Sequence, residues 1–376
     1  MRVARVSHSA VVAAWRERER ELAARGVDVE LVSATRWVEG GAPVDLDASG
    51  EPNVHGAGTL GHHPNLFAFD PRPLWRLLRD SRVDLVDIHE EPFSVAVAEV
   101  LVLKALARNR APFVVYSAQN LDKHYPVPFR WIERWTLRHA AGAYVCNDEA
   151  GRRLRRRGLA GELAVIALGV DLARFHPAVD AAPPHPADRA VRVGYVGRLD
   201  WHKGVHTAIA ALAPLDGWVL EVVGDGAERA NLLDLAARLD MASRLVVHGH
   251  ADQDALAAHY RSFDVLVVPS IPTPSWTEQF GRVAVEAMAS GVPTVVSDAG
   301  ALPEVVGDAG IVVPAGDAQA LRDALVALAA DPRRWAALRA AGIERAASYS
   351  WRSVAAEHLA LYERAVRSAQ ADRRRR

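Results

Sequence analysis

Short apolar runs alternate with helical stretches along this chain, and that alternation limits the possible folds more than any other feature. In the first half the runs are Val3 to Val6, Val27 to Val32, Asp84 to His89, Phe113 to Ser117 and Tyr144 to Asn147. After a break they resume as Val191 to Val196, Trp218 to Val223, Arg244 to Val247, Val265 to Pro269, Thr294 to Ser297 and Ile311 to Val313. Runs this short fit strands covered on both faces, and the helices between them supply the crossovers of a parallel sheet. Trp15 to Arg25, rich in Glu, Arg and Ala and closed by Gly26, reads as a helix of this kind. The expected class is α/β, with one Rossmann-like unit following another.

The break between them is proline-rich, Ala-Ala-Pro-Pro-His-Pro at 181–186, a composition typical of interdomain linkers. It divides the 376 residues into an N-terminal domain over 1–178, a linker over 179–190 and a C-terminal domain over 191–350. A helix over 351–368 follows, and then a basic tail over 369–376, expected to be disordered and solvated. Residues 39–65 lose the rhythm and read as an irregular loop. Asp45-Leu46-Asp47 within it spells the D-x-D of metal-dependent sugar transferases, but nothing places it after a buried strand, so it is set aside. His62-His63 in the same loop reads as polar surface.

A net charge of −1 gives no reason to expect nucleic acid. The single cysteine, Cys146, excludes an intramolecular disulfide and fits a reducing compartment. No apolar run approaches the ~18 residues of a membrane span, and an immediate first strand leaves no room for a signal peptide. A cytoplasmic protein is expected.

The densest chemistry lies in Glu278-Gln279-Phe280-Gly281-Arg282-Val283-Ala284-Val285-Glu286. Gly281 marks a helix start and Gly291 its end, with Pro293 beyond. Amides at such a start have no intrahelical partner and carry the positive end of the helix dipole, so a phosphate docks there readily. Two carboxylates also suggest glycoside hydrolysis, which needs them roughly 5–10 Å apart across one bond. Eight helical residues rise about 12 Å and rotate the second side chain by about 80°, so the two glutamates fit different parts of one long ligand better. Alone, the pair reads as a surface glutamate plus a helix-face glutamate. Two further turns follow strands: Gly197-Arg198-Leu199-Asp200-Trp201-His202-Lys203-Gly204, whose Arg and Lys suit a diphosphate, and Val223-Gly224-Asp225-Gly226-Ala227-Glu228-Arg229. The latter begins like a dinucleotide fingerprint but carries Arg229 at its third glycine position.

Together with the blocks at 246–256 and 264–306 and the segment 167–177, these motifs resemble the family 4 retaining glycosyltransferases of the GT-B fold. The resemblance implies two Rossmann-like domains facing each other across a cleft, with the C-terminal helix crossing back to the first domain. It implies transfer of a hexose-type sugar from a nucleotide sugar to an acceptor hydroxyl, as in glycoconjugate biosynthesis, with no metal and no cofactor besides the donor. Under it, Glu278 contacts the donor sugar, Glu286 holds the ribose, Arg198 and Lys203 neutralise the leaving diphosphate, and Gly197, Phe280 and Gly281 meet it through backbone. The turn at His250 and Ala251 receives the base.

The first domain departs from the pattern. Its first turn, Val6 to Trp15, has no glycine, so Ser9 or His8 would contact ligand through side chains. After Ser117, where many members carry a histidine, this chain has Gln119 and Asn120, neither of which can act as a base. Glu90 and Glu91, after another strand, are further acceptor-side candidates. Partners are therefore a nucleotide sugar and an unidentified acceptor: a glycan, a lipid-linked sugar or a small molecule. Arginines at 152, 153 and 155–157 suggest peripheral contact with the inner membrane face, or simply a solvated helix. The competing readings are a sugar-nucleotide-binding scaffold without turnover and, further off, an NAD-dependent oxidoreductase using the Gly224–Gly226 turn.

Overall fold

Each apolar run becomes a buried strand, and the strands assemble into two parallel sheets. The computed structural model describes residues 1–39, 42–178, 183 and 189–375. The first sheet contains β1 (Arg2–Val6), β2 (Asp28–Ala34), β3 (Val54–Ala57), β4 (Leu85–Ile88), β5 (Phe113–Ser117), β6 (Gly142–Val145) and β7 (Glu162–Val165), in the order β7-β6-β5-β4-β1-β2-β3. The second contains β8 (Val191–Val196), β9 (Trp218–Val223), β10 (Leu245–Gly249), β11 (Val265–Val268), β12 (Thr294–Ser297) and β13 (Gly310–Val313), in the order β10-β9-β8-β11-β12-β13. In each sheet the chain first builds outward on one side and then returns to build on the other. The resulting switch points lie between β1 and β4 and between β8 and β11. Ligands of doubly wound sheets bind beyond the carboxyl ends of the strands at such points.

The chain divides into two compact units, Met1–Gly169 with Trp351–Arg376, and Val170–Ser350. Residues 170–178, expected in the first domain, thus belong to the second. The Val170 amide donates to the Tyr349 carbonyl at 2.9 Å, and Arg339 donates to the Ala178 carbonyl at 3.0 Å. Most of the expected linker lies outside the described residues. Its last part is anchored to the second unit, where Arg189 forks onto both oxygens of Asp264 at 2.6 Å each.

Two expectations need correction. Residues 39–65 are not one irregular loop: Arg36–Glu39 pairs antiparallel with Ala42–Asp45, and β3 is the edge strand of the first sheet. The expected disordered tail is helical, because the last helix runs unbroken over Trp351–Arg375. Its alanines, glutamine and arginines are good helix formers, and neither Gly nor Pro stops them. Of the arginines at 152–157, four pair with carboxylates of the chain itself. Arg153 is buried against Glu133 at 2.8 Å, Arg157 meets Asp122 at 2.9 Å, and Arg152 and Arg156 both bind Glu149.

The last helix is held to the first unit by packing and by a buried polar network. Val354, Ala355, Leu361, Tyr362 and Ala365 bury their side chains with Val3, Leu22, Leu85 and Val114. Fully buried Asp87 accepts from Arg5, from the Tyr144 hydroxyl at 2.8 Å and from the Tyr362 hydroxyl at 2.6 Å. Arg18 donates to Asp87 at 3.4 Å and pairs with His358 Nε2 at 2.9 Å. Buried charges persist when partners of this kind satisfy them. No helix among the described residues is long and apolar enough to cross a membrane.

Candidate functional site

The second unit gathers its motif residues at the β8/β11 switch point. Where β8 ends, the Gly197 amide donates to the Val223 carbonyl at 3.0 Å and the Tyr195 hydroxyl donates to the Arg198 carbonyl at 2.8 Å. The backbone is thereby fixed while the Arg198 side chain remains 59% exposed, 3.6 Å from Asp200. The chain then makes one turn of 3-10 helix, Trp201–Lys203, and stops at Gly204 with φ at 73°. A Cβ at Gly204 would lie 1.8 Å from the Pro269 carbonyl oxygen. Glycine there lets the lysine-bearing turn lie directly against the end of β11.

That approach places Lys203 Nζ 2.9 Å from Glu278 Oε2. The same oxygen accepts from the Ser270 hydroxyl at 2.9 Å, and Nζ stands 4.5 Å over the Trp276 ring. The main chain at Glu278 is fixed as well, since its carbonyl accepts from the Ala301 amide at 3.0 Å. A positively charged group and a carboxylate that sequence alone keeps 75 positions apart thus meet at one point.

Gly281 starts the following helix, Arg282–Ala289, with φ at 92°, and Gly291 lies past its end with φ at 72°. The amides of the first helical turn have no intrahelical acceptor. One face of this helix buries Ala284, Val285 and Met288. Glu286, half-buried on another face, accepts from the Tyr260 hydroxyl at 2.9 Å. Burial pushes the Glu286 carboxyl above its ordinary range, while Arg282 and the Tyr260 hydroxyl draw it partly back. The two glutamates therefore have separate partners. Phe280 is a core residue, buried edge-on against Tyr349, so ligand contact there falls to its backbone.

His250, exposed, and Ala251, half-buried, lie just beyond the end of β10, after Gly249 with φ at 74°. Gly224 bridges to Gly249. The Gly224–Gly226 turn itself is packed against the protein's own backbone. A Cβ at Gly224 would lie 1.9 Å from the Gly197 carbonyl, and one at Gly226 2.6 Å from the Leu199 carbonyl. Its glycines are accounted for by this packing, which removes the structural motive for a dinucleotide.

In the first unit the acceptor-side candidates cluster at the carboxyl ends of β1, β4 and β5. Glu90 is buried, and its carboxylate takes both the His8 amide at 2.8 Å and the His8 ring Nδ1 at 2.7 Å. His8 packs on Trp37 and Phe67. Glu91 accepts from the Ser117 hydroxyl at 2.7 Å and the Ala118 amide at 2.9 Å, and burial raises its pKa against these bonds. Both glutamates thus tie neighbouring strand ends together. Gln119 accepts from the Leu121 amide at 3.0 Å, a local cap; Ser9 Oγ lies 3.1 Å from Ser7 Oγ; Asn120 is half-buried. Asp47 of the D-x-D triplet accepts from the Ser49 amide at 2.9 Å in a surface turn.

Sequence reasoning missed Ser270, Trp276 and Gly300 around Glu278, and Tyr260 on Glu286. Each reaches its partner through the fold. Ser270 still carried a signal, as a hydroxyl two residues past a buried strand.

Residues 181–347 match the family model described as Glycosyl transferases group 1, and residues 14–174 match that described as Glycosyltransferase Family 4. A glycogen synthase from Mycobacterium tuberculosis is 36% identical over 252 residues, 63% of this chain and 57% of that protein. A D-inositol 3-phosphate glycosyltransferase from Mycobacteroides abscessus is 32% identical over 249 residues, 60% of this chain and 55% of that protein. The chain therefore spans just over half the length of these curated relatives. Among solved structures, sucrose-phosphate synthase from Thermosynechococcus elongatus is similar with a TM-score of 0.68 at 23% identity, over 96% of this chain and 98% of its own. Anabaena HepE in complex with UDP gives 0.72 at 18% identity, over 96% and 100%. At these identities the structural likeness is one of fold.

Proposed function

Since the chain belongs to the family 4 glycosyltransferases and has their GT-B fold, we propose that it transfers a sugar from a nucleoside diphosphate sugar to an acceptor hydroxyl, retaining the anomeric configuration and using no metal at the reacting centre. The observation that carries this reading is the convergence of Arg198, Lys203, Glu278 and the Gly281 helix start at one switch point. Departure of a nucleoside diphosphate builds negative charge on its oxygens. Fixed cations and amides aimed there stabilise that charge more in the transition state than in the ground state. Arg198 is the accessible fork for this task, and Lys203, held by Glu278, is the point charge. Glu278 would then contact hydroxyls of the donor sugar and Glu286 those of the ribose, with the base at His250 and Ala251.

In the proposed step the acceptor oxygen bonds to the anomeric carbon on the face that the diphosphate leaves. The bond from that carbon to the diphosphate oxygen breaks, and the acceptor proton passes to a departing phosphate oxygen. No side-chain base is required, consistent with Gln119 and Asn120 in place of an imidazole. Ser9, Glu90, Glu91, Gln119 and Asn120 are the acceptor-side candidates. UDP is the first nucleotide to try, because the HepE structure is a complex with UDP. A cytoplasmic site of action is part of the same proposal.

Incubation with UDP-, GDP- and dTDP-sugars tests the reading. Release of free nucleoside diphosphate only when acceptor is present supports transfer. Donor binding without turnover across an acceptor panel favours the scaffold instead, the reading to which the glycine-free first turn points. Activity abolished by chelator and restored by Mg²⁺ would remove the metal-independent part, and an inverted product would remove retention.

A further inference from the structure

A second cluster of ligating side chains stands in the same unit, on residues to which the donor reading gives no role. Glu221 on β9, His248 on β10 and His259 on the helix Gln253–Ser262 each bring one ligand atom within 4.8 Å of the others. The sheet is locally shaped to allow it. Val222 pairs with Val247 but Val223 pairs with Gly249, so His248 is the extra residue of a bulge, and bulges re-aim side chains. The Glu221 carboxylate is buried, with one oxygen held by Arg192 and the other 3.1 Å from His248 Nε2. The His248 and His259 rings lie 4.4 Å apart, and the His248 side chain is 30% exposed, which leaves a path from solvent.

We propose that Glu221, His248 and His259 form a site for Zn²⁺. Two imidazoles and one carboxylate are the donor set of Zn²⁺ and its first-row neighbours, whereas Mg²⁺ and Ca²⁺ prefer all-oxygen shells. Bonds of about 2.0–2.2 Å place tetrahedral ligand atoms about 3.3 Å apart. The Glu221–His248 pair already has nearly that spacing, at 3.1 Å, and the His259 ligand atom stands within 4.8 Å of both. Three protein ligands leave the fourth position to water. Arg192 fixes the carboxylate as a one-oxygen ligand and opposes a cation, which weakens the site relative to a closed structural one. The spacing 248 and 259 matches no short metal motif, and Glu221 comes from a third element.

The two histidines bracket residues 249–258, so a bound ion would tie both ends of the segment carrying His250 and Ala251. Its helix also presents Tyr260 to Glu286. This bearing on nucleotide binding rests on the donor-site reading; Zn²⁺ uptake does not, and it is measured without nucleotide, so either can fail while the other stands.

The full chain, stripped with chelator, is titrated with Zn²⁺ and separately with Mg²⁺ by calorimetry. Saturable uptake of one Zn²⁺ per chain is expected, with no Mg²⁺ uptake. His248→Ala and His259→Ala should each weaken uptake by more than about tenfold, the loss that even outer-shell changes at metal sites can produce. His62→Ala with His63→Ala should leave it intact. Absence of saturable Zn²⁺ uptake, or uptake that survives both site variants and disappears with the loop pair, overturns the proposal. Should a site variant fail to fold, Co²⁺ bound to the unsubstituted protein answers instead: a tetrahedral visible spectrum supports the site, and the spectrum of the hydrated ion refutes it.

Discussion

Lys203 Nζ and Glu278 Oε2 form an ion pair 2.9 Å long that joins the turn after β8 to the segment after β11. Both side chains are mostly buried, at 21% and 14% exposure, so the pair is screened less than a surface one. Removing Lys203 leaves the Glu278 carboxylate partly buried without this cation. Lys203→Met and Glu278→Gln should each lower kcat by tenfold or more, taking a charged hydrogen bond at about 1.5–3 kcal/mol. The double variant should be much less impaired than the product of the two losses. Strictly multiplicative losses in steady-state turnover would show that the two side chains act independently.

Arg198 should behave differently, because its guanidinium is 59% exposed and its contact with Asp200, at 3.6 Å, is looser than the Lys203–Glu278 pair. Arg198→Ala is expected to cost about ten- to a hundredfold in kcat/KM, again from the strength of a charged hydrogen bond. Lys at this position should recover little of it, since an ammonium cannot fork onto a diphosphate. Its thermal stability should stay near that of the unsubstituted chain. A variant with unchanged kcat/KM would take Arg198 out of the donor site.

Glu286 couples stability to function with a definite sign. Burial raises its pKa above the ordinary 4.5, so the folded chain favours the protonated form. The contribution of this group to stability is therefore full below the ordinary value and is lost as pH rises through the folded pKa. Above that range, ionisation of the buried group is a net cost to the unliganded protein. Glu286→Gln should raise the apo Tm at pH 7.5, and the gain should shrink as pH falls toward the ordinary carboxylate range. The same variant should weaken nucleotide binding while sparing kcat. A lower apo Tm at pH 7.5, measured by thermal shift, would contradict this.

These effects also show which parts of the molecule were legible. Phe113–Ser117, Val191–Val196, Trp218–Val223 and Thr294–Ser297 match the sequence reading residue for residue. A strand buried on both faces leaves a continuous apolar run with sharp ends. The edge strands of the first sheet were lost for the converse reason: β3 is buried only at Val54 and Ala57 and exposed between them, and β7 has no fully buried residue. Gly281 and Gly291 were readable because a left-handed backbone at a helix end selects glycine. Partnerships were not. Glu278 finds Lys203, Glu286 finds Tyr260 and Arg5 finds Asp87 through sheet order, and no local spacing encodes it. The partners of Arg153 and Arg157 were hidden for the same reason, since Glu133 and Asp122 are remote in sequence.

His358 reports on how the last helix is held. Burial pushes its pKa from 6.5 down to about 4, and Nε2 accepts from Arg18 at 2.9 Å, which suits a neutral ring. A depressed folded value means that the unfolded chain takes up the proton first. The stability is therefore complete above pH 6.5 and drains away as pH falls toward 4. The loss should approach about 3 kcal/mol. Urea unfolding followed from pH 7.5 to 4.5 should show this slope, and His358→Gln, which keeps an acceptor for Arg18, should flatten it. An unchanged slope in the variant would assign the acid sensitivity to other groups.

Gly300 offers the sharpest separation of position from contact. Its φ is 58°, and a Cβ there would lie 2.1 Å from the Glu278 carbonyl oxygen and 2.7 Å from Thr277 Oγ1. The left-handed conformation alone costs a non-glycine residue about 1–2 kcal/mol. The clash is with backbone, so no rotamer change relieves it. What must shift is the main chain at Glu278, which the Ala301 amide holds through the same carbonyl. Gly300→Ala should therefore depress kcat by more than about tenfold, because even a 1 Å misplacement remote from the chemistry can cost about a hundredfold. Glu286 and Tyr260 lie on other elements, so nucleotide affinity should change much less. The check is kcat together with a nucleotide-binding isotherm on the same preparation. Wild-type turnover in Gly300→Ala would mean that the exact placement of Glu278 does not limit the reaction, and would count against its contact with the donor sugar.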